Sequence, residues 1–420
     1  MSEVYIIKKT KKYINILFFN RKYSIYIISS ILVTFAGFLI ASTQREASYA
    51  DWYNHWITAG IGYLIAFIFS LIPLSKIRKL LVPIYLLTIG SLIAVQMIGT
   101  SALGSQRWLS VGGFNIQPSE FAKISVILFL ASVLEKKNLT SPKSLIKPLL
   151  LICIPWLLVF LQPDLGTSLV FGAFLSIMLY WAGMPVEWLI IIFSTLITAL
   201  LASLAPLVLF FWIPFMGFLA NKSIRQRKLA TGATILLHTA TAFLTPWLWM
   251  NGLQDYQRDR LILFLDPTKD PLGGGYHLLQ STVGIGSGGW FGSGLLQGQL
   301  TKLRFIPEQH TDFIFSALGE EMGFVGILLV VGCFFALIIN LLGVARDART
   351  DFESLAVIGI VTMILFQVIV NIFMTIGLGP ITGIPLPFMS YGRSALLVNF
   401  ISLGICLSVA NRAYTNNNFR

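Results

Sequence analysis

The chain has 420 residues, of which 56% are hydrophobic and only 11% are charged, and its mean hydropathy is +0.79. So few charges cannot cover the surface of a soluble protein of this size, and that class is excluded. Apolar runs of roughly 20 residues recur along the sequence and match the hydrocarbon thickness of a bilayer. The composition predicts an all-α polytopic membrane protein, since the alternating pattern of a membrane β-barrel is absent from the sequence.

The net charge of +12 is distributed in a way that fits membrane topology, so we expect no nucleic-acid partner. The three cysteines, Cys153, Cys333 and Cys406, lie within apolar runs. Small core side chains are expected there rather than a disulfide or a metal site. The four histidines are too scattered for a zinc motif.

Residues 1–22 are basic and are predicted to be cytoplasmic, as is the tail 412–420. Between them, hydropathy predicts a single transmembrane domain, 23–411, with about twelve spans. Their approximate bounds are 23–42, 57–74, 80–99, 119–134, 146–161, 165–183, 187–204, 206–220, 229–250, 312–343, 354–376 and 388–411. Pro206 divides the apolar run 187–220 in two, because proline interrupts a helix.

Basic residues predict the orientation of these spans. With the N-terminus inside, the basic clusters at 8–22, 76–79, 136–147 and 222–228 fall on one side of the membrane, as the positive-inside rule requires. Most acidic residues then fall on the other side. We therefore expect cytoplasmic N- and C-termini and a large extracytoplasmic loop at 251–311.

This loop is rich in charge and glycine, which is typical of a functional loop between spans. Asp266 and Asp270 each precede a proline, which favours an extended or turn backbone, and glycines 273–275 let the main chain approach a ligand. Arg258 and Arg260 supply cations nearby in the sequence. The combination favours acid–base chemistry on a phosphorylated substrate, and ordinary Asp turns in a solvated loop explain it equally well.

A second polar segment, 104–124, is predicted on the same side of the membrane. Its polar residues are Arg107, Gln117, Ser119, Glu120 and Lys123. Glu120 and Lys123 are three residues apart and share one helix face, which Ser119 can cap. A capped helix start with a snorkelling ion pair explains this pattern, and so does a functional site, because charges at the end of a span are costly.

Two further polar segments lie between spans. Asp164, in LQPDLGTSL at 161–169, fits a tight Pro-Asp turn between two helices. The glycines and prolines of 377–395 forbid regular helix, so this stretch is expected to line protein or a water-filled cavity. Arg393 is costly in contact with lipid and is expected to face that cavity.

Six motifs in the chain resemble the RodA/FtsW (SEDS) family. They are RWLSVGGFNIQPSEFAKI at 107–124, QPDLGTSL at 162–169, FLDPTKDPLGGGYHLLQS at 264–281, IGSGG at 285–289, PEQHTDFIFSALGEEMGFVG at 307–326 and GIPLPFMSYG at 383–392. They occur in family order over nearly the whole chain. FLDP at 264–267 resembles the RodA elongation branch more than the FtsW division branch.

The resemblance implies a peptidoglycan glycosyltransferase that polymerises lipid II during cell elongation, with undecaprenyl pyrophosphate as the leaving group of an inverting transfer. Asp270 matches the acid of the family's D-P-x-G motif and is the expected catalytic base. Arg107, Gln117, Glu120 and Lys123 match a second family motif and are expected to bind substrate or pyrophosphate, together with Arg258 and Arg260. Supporting roles are expected for Asp266, Asp164, Glu308, His310, Asp312, Ser390 and Tyr391.

The chain departs from the family pattern at two places. The family has about ten spans, so 206–250 is interpreted as an inserted helical hairpin joined by the basic loop 221–228. The family also reads Tyr-Gly-Gly-Ser where this chain has Tyr391, Gly392, Arg393 and Ser394.

The resemblance also implies partners and a location. A class B penicillin-binding protein, other elongation-complex membrane proteins and the bacterial cytoplasmic membrane are expected. A divalent cation, Mg or Mn, could assist pyrophosphate departure, but no cluster in the sequence has dedicated ligand spacing. Two other functions remain open: a transporter that flips lipid-linked precursors, which places its key charges near the midplane of broken helices, and a non-catalytic scaffold.

Overall fold

The structure is a computed structural model that describes residues 21–43, 51–102, 105–111, 114–135, 139, 142–162, 164–224, 227–252, 255–266, 269–270, 274–303, 305–306 and 308–417. Within these ranges the chain is almost entirely helical. The helices are α1 Arg21–Thr43, α2 Asp51–Leu71, α3 Leu74–Arg78, α4 Leu81–Ile98, α5 Pro118–Leu134, α6 Ile146–Leu161, α7 Leu165–Trp181, α8 Val186–Leu204, α9 Leu209–Ser223, α10 Arg227–Trp247, α11 Asp255–Leu265, α12 Gly274–Ser287, α13 Gln299–Lys302, α14 Ile314–Arg346, α15 Asp351–Thr375 and α16 Arg393–Asn417. Short 3-10 turns lie at Pro142–Leu145 and Pro206–Val208, and a π turn at Leu248–Gly252 follows α10.

Each predicted span overlaps one helix, although the last helix begins at Arg393 rather than at 388. The predicted polytopic helical class is confirmed. In the described part of the chain, 8 helices are long and apolar enough to cross a membrane, and two shorter apolar helices, α6 and α7, accompany them. The sequence pattern missed one element. A small antiparallel sheet, ordered β1 Thr100–Ala102, β2 Ser105–Val111 and β3 Phe114–Ile116, connects α4 to α5.

The core of the bundle lies around α15 and α16, the two most buried of the candidate spans. α15 packs on α5, α7 and α14, and α16 packs along α2. Gly404 of α16 allows that close approach, because a Cβ at this position would lie 2.8 Å from the carbonyl oxygen of Ala66. By contrast, α8 and α9 expose most of their apolar side chains, as lipid-facing helices do.

The predicted hairpin consists of α9 and α10, and a buried polar cluster attaches it to α8. Nδ1 of His238 on α10 lies 2.5 Å from Oγ1 of Thr198 on α8, and Nε2 lies 3.3 Å from Oγ of Ser194. The indole Nε1 of Trp212 on α9 donates to the same Thr198 oxygen at 3.0 Å. These hydrogen bonds satisfy polar groups that would otherwise be costly within a membrane.

Residues 274–303, predicted as part of a long loop, fold as α12, a glycine turn (288–294) and α13, and pack against the first half of α14. There α14 is kinked at Gly323, whose φ of +61° favours glycine. The glycine turn bonds the backbone groups around the kink: Ser293 N–H donates to Glu320 O at 2.9 Å, and Phe324 N–H donates to Gly289 O at 2.9 Å. Backbone polar groups on both sides are thereby satisfied, as a membrane environment requires.

Candidate active site

Asp164 connects segments that are far apart in the sequence. Its Oδ1 atom accepts a hydrogen bond from Thr167 N–H at 3.2 Å and lies 3.7 Å from Nη1 of Arg107 on β2. Its Oδ2 atom accepts from Nε2 of Gln117 and Oγ of Ser119, both at 3.4 Å. The carboxylate therefore caps α7, in accord with the predicted turn, and also fixes Arg107 and the start of α5.

The start of α5 differs from the prediction in its cap. We expected Ser119 to cap this helix, but Gln117 is the N-cap residue and Pro118 occupies the first turn. Ser119 lies too far into the helix to cap it, and its hydroxyl bonds Asp164 instead. The backbone N–H of Gln117 donates to Oγ of Ser394 at 3.0 Å, which ties α5 to the first turn of α16.

Glu120 and Lys123 form an ion pair on one face of α5, as their spacing predicted. Nζ of Lys123 donates to Oε1 of Glu120 at 2.7 Å, and the two residues are only 1% and 3% exposed. The snorkelling interpretation is therefore wrong, because a snorkelling pair keeps its charged ends in water. A buried pair of charges is costly to desolvate and marks an internal polar site.

Asp312 lies in the turn just before α14, rather than inside the span as the hydropathy bounds predicted. Nδ2 of Asn371 on α15 donates to the carbonyl oxygen of Asp312 at 2.9 Å and to that of Ile384 at 2.8 Å. A Cβ on Gly383, at φ +70°, would lie 3.3 Å from Oδ2 of Asp312 and 3.9 Å from Nη1 of Arg260. The glycine backbone therefore faces an acid and a cation at close range.

The charges around Asp312 come from four separate segments. Burial is the largest cause that raises the pKa of Asp312 to about 6, and the carboxylate of Glu308 acts in the same direction. The guanidinium groups of Arg260 and Arg107 oppose this rise, and Asp164 adds to it. The structure thus brings Arg107, Arg260, Asp164 and Asp312 into one charged site.

Asp270, the acid that the motif favours as the base, follows α11, the helix that carries Arg260. Asp266 is half-buried at the end of α11, and Asp270 is exposed a few residues later. The carbonyl oxygen of Asp270 accepts from Gly275 N–H at 3.1 Å, at the start of α12. The prolines and glycine expected to shape this backbone fall in 267–268 and 271–273, outside the described residues. Both loop arginines are half-buried on α11, and the positive charge of Arg260 lowers the pKa of Asp312.

The segment 377–392, called the broken segment below, is irregular as predicted and contacts the turn before α14. Tyr391 N–H donates to the carbonyl oxygen of His310 at 2.9 Å, and the two rings lie 5.8 Å apart. Oγ of Ser390 accepts from Leu386 N–H at 2.7 Å, so this buried hydroxyl stabilises the segment itself. Arg393 is half-buried at the first position of α16.

Two buried acids that were not predicted as site residues fasten the loop to the bundle. Glu320 of α14 accepts hydrogen bonds from Leu300 N–H at 2.8 Å, Thr301 N–H at 2.9 Å and Thr301 Oγ1 at 2.6 Å. Glu321 accepts from Oγ of Ser42 on α1. The sequence signal for Glu320 and Glu321 was a pair of adjacent acids within an otherwise apolar helix. Asn371 gave a similar signal, since it is a polar residue within another apolar helix.

The described residues do not form a dedicated site for a divalent cation. No three His, Cys, Asp or Glu side chains among them cluster closely enough to hold an ion. The donors around Asp312 include arginines, which repel a cation. The divalent cation expected from the resemblance stays a prediction, because such ions are commonly held by one or two carboxylates together with the phosphates of a substrate.

Together these features define a polytopic membrane protein in which helix ends, one strand and a broken segment form a charged site. The sequence matches the model of the FtsW/RodA/SpoVE family, described as cell cycle protein, over residues 16–211 and 205–415. The chain belongs to this family and is an integral membrane protein.

Characterised relatives cover most of the chain. It is 37% identical over 352 residues to the peptidoglycan glycosyltransferase MrdB of Escherichia coli, covering 83% of this chain and 82% of MrdB. It is 35% identical over 350 residues to the peptidoglycan glycosyltransferase RodA of Treponema pallidum, with coverages of 76% and 80%.

Solved structures share the fold. A structure described as a peptidoglycan synthase complex that coordinates polymerisation and crosslinking matches with a TM-score of 0.71 and 27% identity, covering 93% of this chain and 98% of the matched chain. The rod shape determining protein RodA of Thermus thermophilus matches with a TM-score of 0.61 and 23% identity, covering 93% and 97%.

Proposed function

We propose that this protein is a peptidoglycan glycosyltransferase that polymerises lipid II into glycan strands during cell elongation. The observation that carries the proposal is the charged site formed by Arg107, Arg260, Asp164 and Asp312 in a chain whose relatives MrdB and RodA bear that activity in their names. An enzyme that expels a lipid pyrophosphate needs such cations, because negative charge grows on the leaving group in the transition state.

The proposed reaction is an inverting transfer. Asp270 takes the proton from the 4-hydroxyl of the acceptor GlcNAc, and that oxygen forms a bond to the anomeric carbon of the donor MurNAc. The bond from this carbon to the pyrophosphate oxygen breaks, and undecaprenyl pyrophosphate leaves with the electron pair. Arg107 stabilises the departing phosphates, with Arg260 and Arg258 as further cations. Lys123 is buried and paired with Glu120, so it joins them only if the substrate's phosphates draw it away from that carboxylate. Exposure of Asp270 fits this assignment, since a base on a surface segment can reach a sugar outside the bilayer.

The orientation and partner belong to the same proposal. Cytoplasmic termini and an extracytoplasmic segment 251–311 are supported by the distribution of basic residues. A class B penicillin-binding protein that crosslinks the new strand is supported by the structural match to a synthase complex. The elongation role is supported by similarity to RodA.

Purified protein in liposomes with lipid II tests the proposal, with products resolved by length and lipid translocation measured in parallel. We expect glycan strands of many disaccharides, made without any other protein. Translocation of lipid II without polymer would instead identify a flippase. Neither activity, from protein with an intact melting transition, would identify a scaffold. Either of the last two outcomes contradicts the proposal.

A further inference from the structure

We propose that Asp312 is a counter-carboxylate of the pyrophosphate-binding Arg260: it competes with the substrate for this arginine, and it takes up one proton when a lipid diphosphate binds. This inference rests on the proposed function. It adds to that function a proton-linked step in substrate binding, which neither the relatives nor the motif around Asp270 assign.

The position of Asp312 is held by backbone contacts rather than by its own carboxyl group. Asn371 binds its carbonyl oxygen, and the same amide binds Ile384 in the broken segment. The carboxyl group is thereby left to face the bare backbone of Gly383, beside Nη1 of Arg260. A phosphate oxygen entering at Gly383 would meet both the cation and the acid, because no side chain at this position separates them.

The surrounding charges make the carboxyl group sensitive to a further anion. Arg260 comes from α11, Arg107 from β2, Asp164 from the start of α7, and Glu308 from the same turn as Asp312. His277 of α12 belongs to the same field: burial lowers its pKa most, while Glu308 raises it and Arg260 lowers it. His310 in the same turn and Tyr391 in the broken segment are further titratable groups near Asp312, and a backbone hydrogen bond joins them.

The sign of the linkage follows from these charges. The pKa of Asp312 is already raised to about 6 by burial and Glu308, with the arginines opposing. A bound diphosphate adds negative charge and engages the arginines, so it raises this pKa further. Above pH 6 binding then requires proton uptake, and affinity falls as the pH rises.

The probe is lipid II whose GlcNAc 4-hydroxyl is replaced by hydrogen. It cannot be extended, and its diphosphate is esterified at both ends, so its charge there is constant near neutral pH. Binding to the full-length protein in nanodiscs is measured from pH 5 to 7.5. If Asp312 stays protonated in the complex, affinity falls roughly thirtyfold over this range, about one log unit per pH unit above 6.

Two variants assign the effect to Asp312. Asp312→Asn, a mimic of the protonated acid, is expected to bind at pH 7.5 as tightly as the unmodified protein does at pH 5, with a flat profile. Glu308→Gln, at an exposed position, removes a charge that raises the pKa and is expected to move the midpoint below that of the unmodified protein. His277→Gln is expected to leave the slope of affinity against pH unchanged.

A flat profile for the unmodified protein, or an unchanged slope in Asp312→Asn, would overturn the inference. Polymerisation of ordinary lipid II, run alongside, separates this failure from failure of the proposed function. If the protein polymerises lipid II but its binding profile is flat, only the role proposed for Asp312 is refuted. If it neither polymerises lipid II nor binds the probe, both the role of Asp312 and the proposed function are refuted.

Discussion

The substitution Glu320→Gln tests how the loop is fastened to the bundle. The carboxylate accepts three hydrogen bonds at 2.6–2.9 Å, from Leu300 N–H, Thr301 N–H and Thr301 Oγ1, and is only 3% exposed. A glutamine keeps one acceptor oxygen and turns a donor toward the others. Hydrogen bonds to buried charged groups are worth about 1.5–3 kcal/mol each, so losing one or two should cost about 2–5 kcal/mol.

The assay is thermal unfolding followed with a thiol-reactive dye, in a background where the partly buried Cys153 and Cys333 are replaced by alanine. Cys406 is fully buried in α16, so its thiol becomes reactive only on unfolding. We expect a clear fall in melting temperature for Glu320→Gln and a smaller one for Thr301→Val, which removes only the hydroxyl bond. The fall in melting temperature of the double variant should be smaller than the sum of the two single falls, because both changes remove the same contact. Glu187→Gln, at an exposed position, is the matched control. A melting temperature for Glu320→Gln equal to that of this control would refute the reasoning.

Three further predictions separate charge from fold. Asp164→Asn keeps an N-cap acceptor, so it should leave stability within about 0.5 kcal/mol while weakening lipid II binding through Arg107. Asp164→Ala should weaken binding in the same way and also cost about 1 kcal/mol of stability. Binding equal to that of the unmodified protein in either variant would count against the role of Arg107. Lys123→Met should destabilise the protein by about 3–5 kcal/mol, because it leaves Glu120 buried and unpaired. Adding Glu120→Gln should restore most of the lost stability. A melting temperature that does not recover in the double variant would contradict this. Asn371→Leu should cost about 2 kcal/mol by freeing two carbonyl oxygens and should raise KM for lipid II; unchanged KM would show that Asn371 does not position Asp312.

The helices and the broken segment could be predicted because their signals are local. A run of apolar residues long enough to cross a bilayer specifies a span, and closely spaced glycines and prolines forbid a helix at 377–392. The shared face of Glu120 and Lys123 follows from helical periodicity alone. The burial of these two residues cannot be predicted in this way, because it depends on neighbours from other segments.

The charged site could be predicted only in part, because it is assembled from distant segments. Hydropathy grouped Asp312 with a span, and no local pattern indicates that Arg260 and Arg107 approach it. The glycine turn packs against α14 at the kink at Gly323, which a sequence of apolar residues does not reveal. Family resemblance selected Asp270 as the base, and that role remains a prediction for experiment.

The most direct test of the account is the rate at which purified Asp270→Asn polymerises lipid II in liposomes. Asn cannot accept the proton, so we expect the initial rate to fall by about 10²–10⁴-fold, the usual contribution of a general base. Binding of the non-extendable lipid II and the melting temperature should stay unchanged. Polymerisation at the rate of the unmodified protein would contradict the assignment of Asp270 as the base.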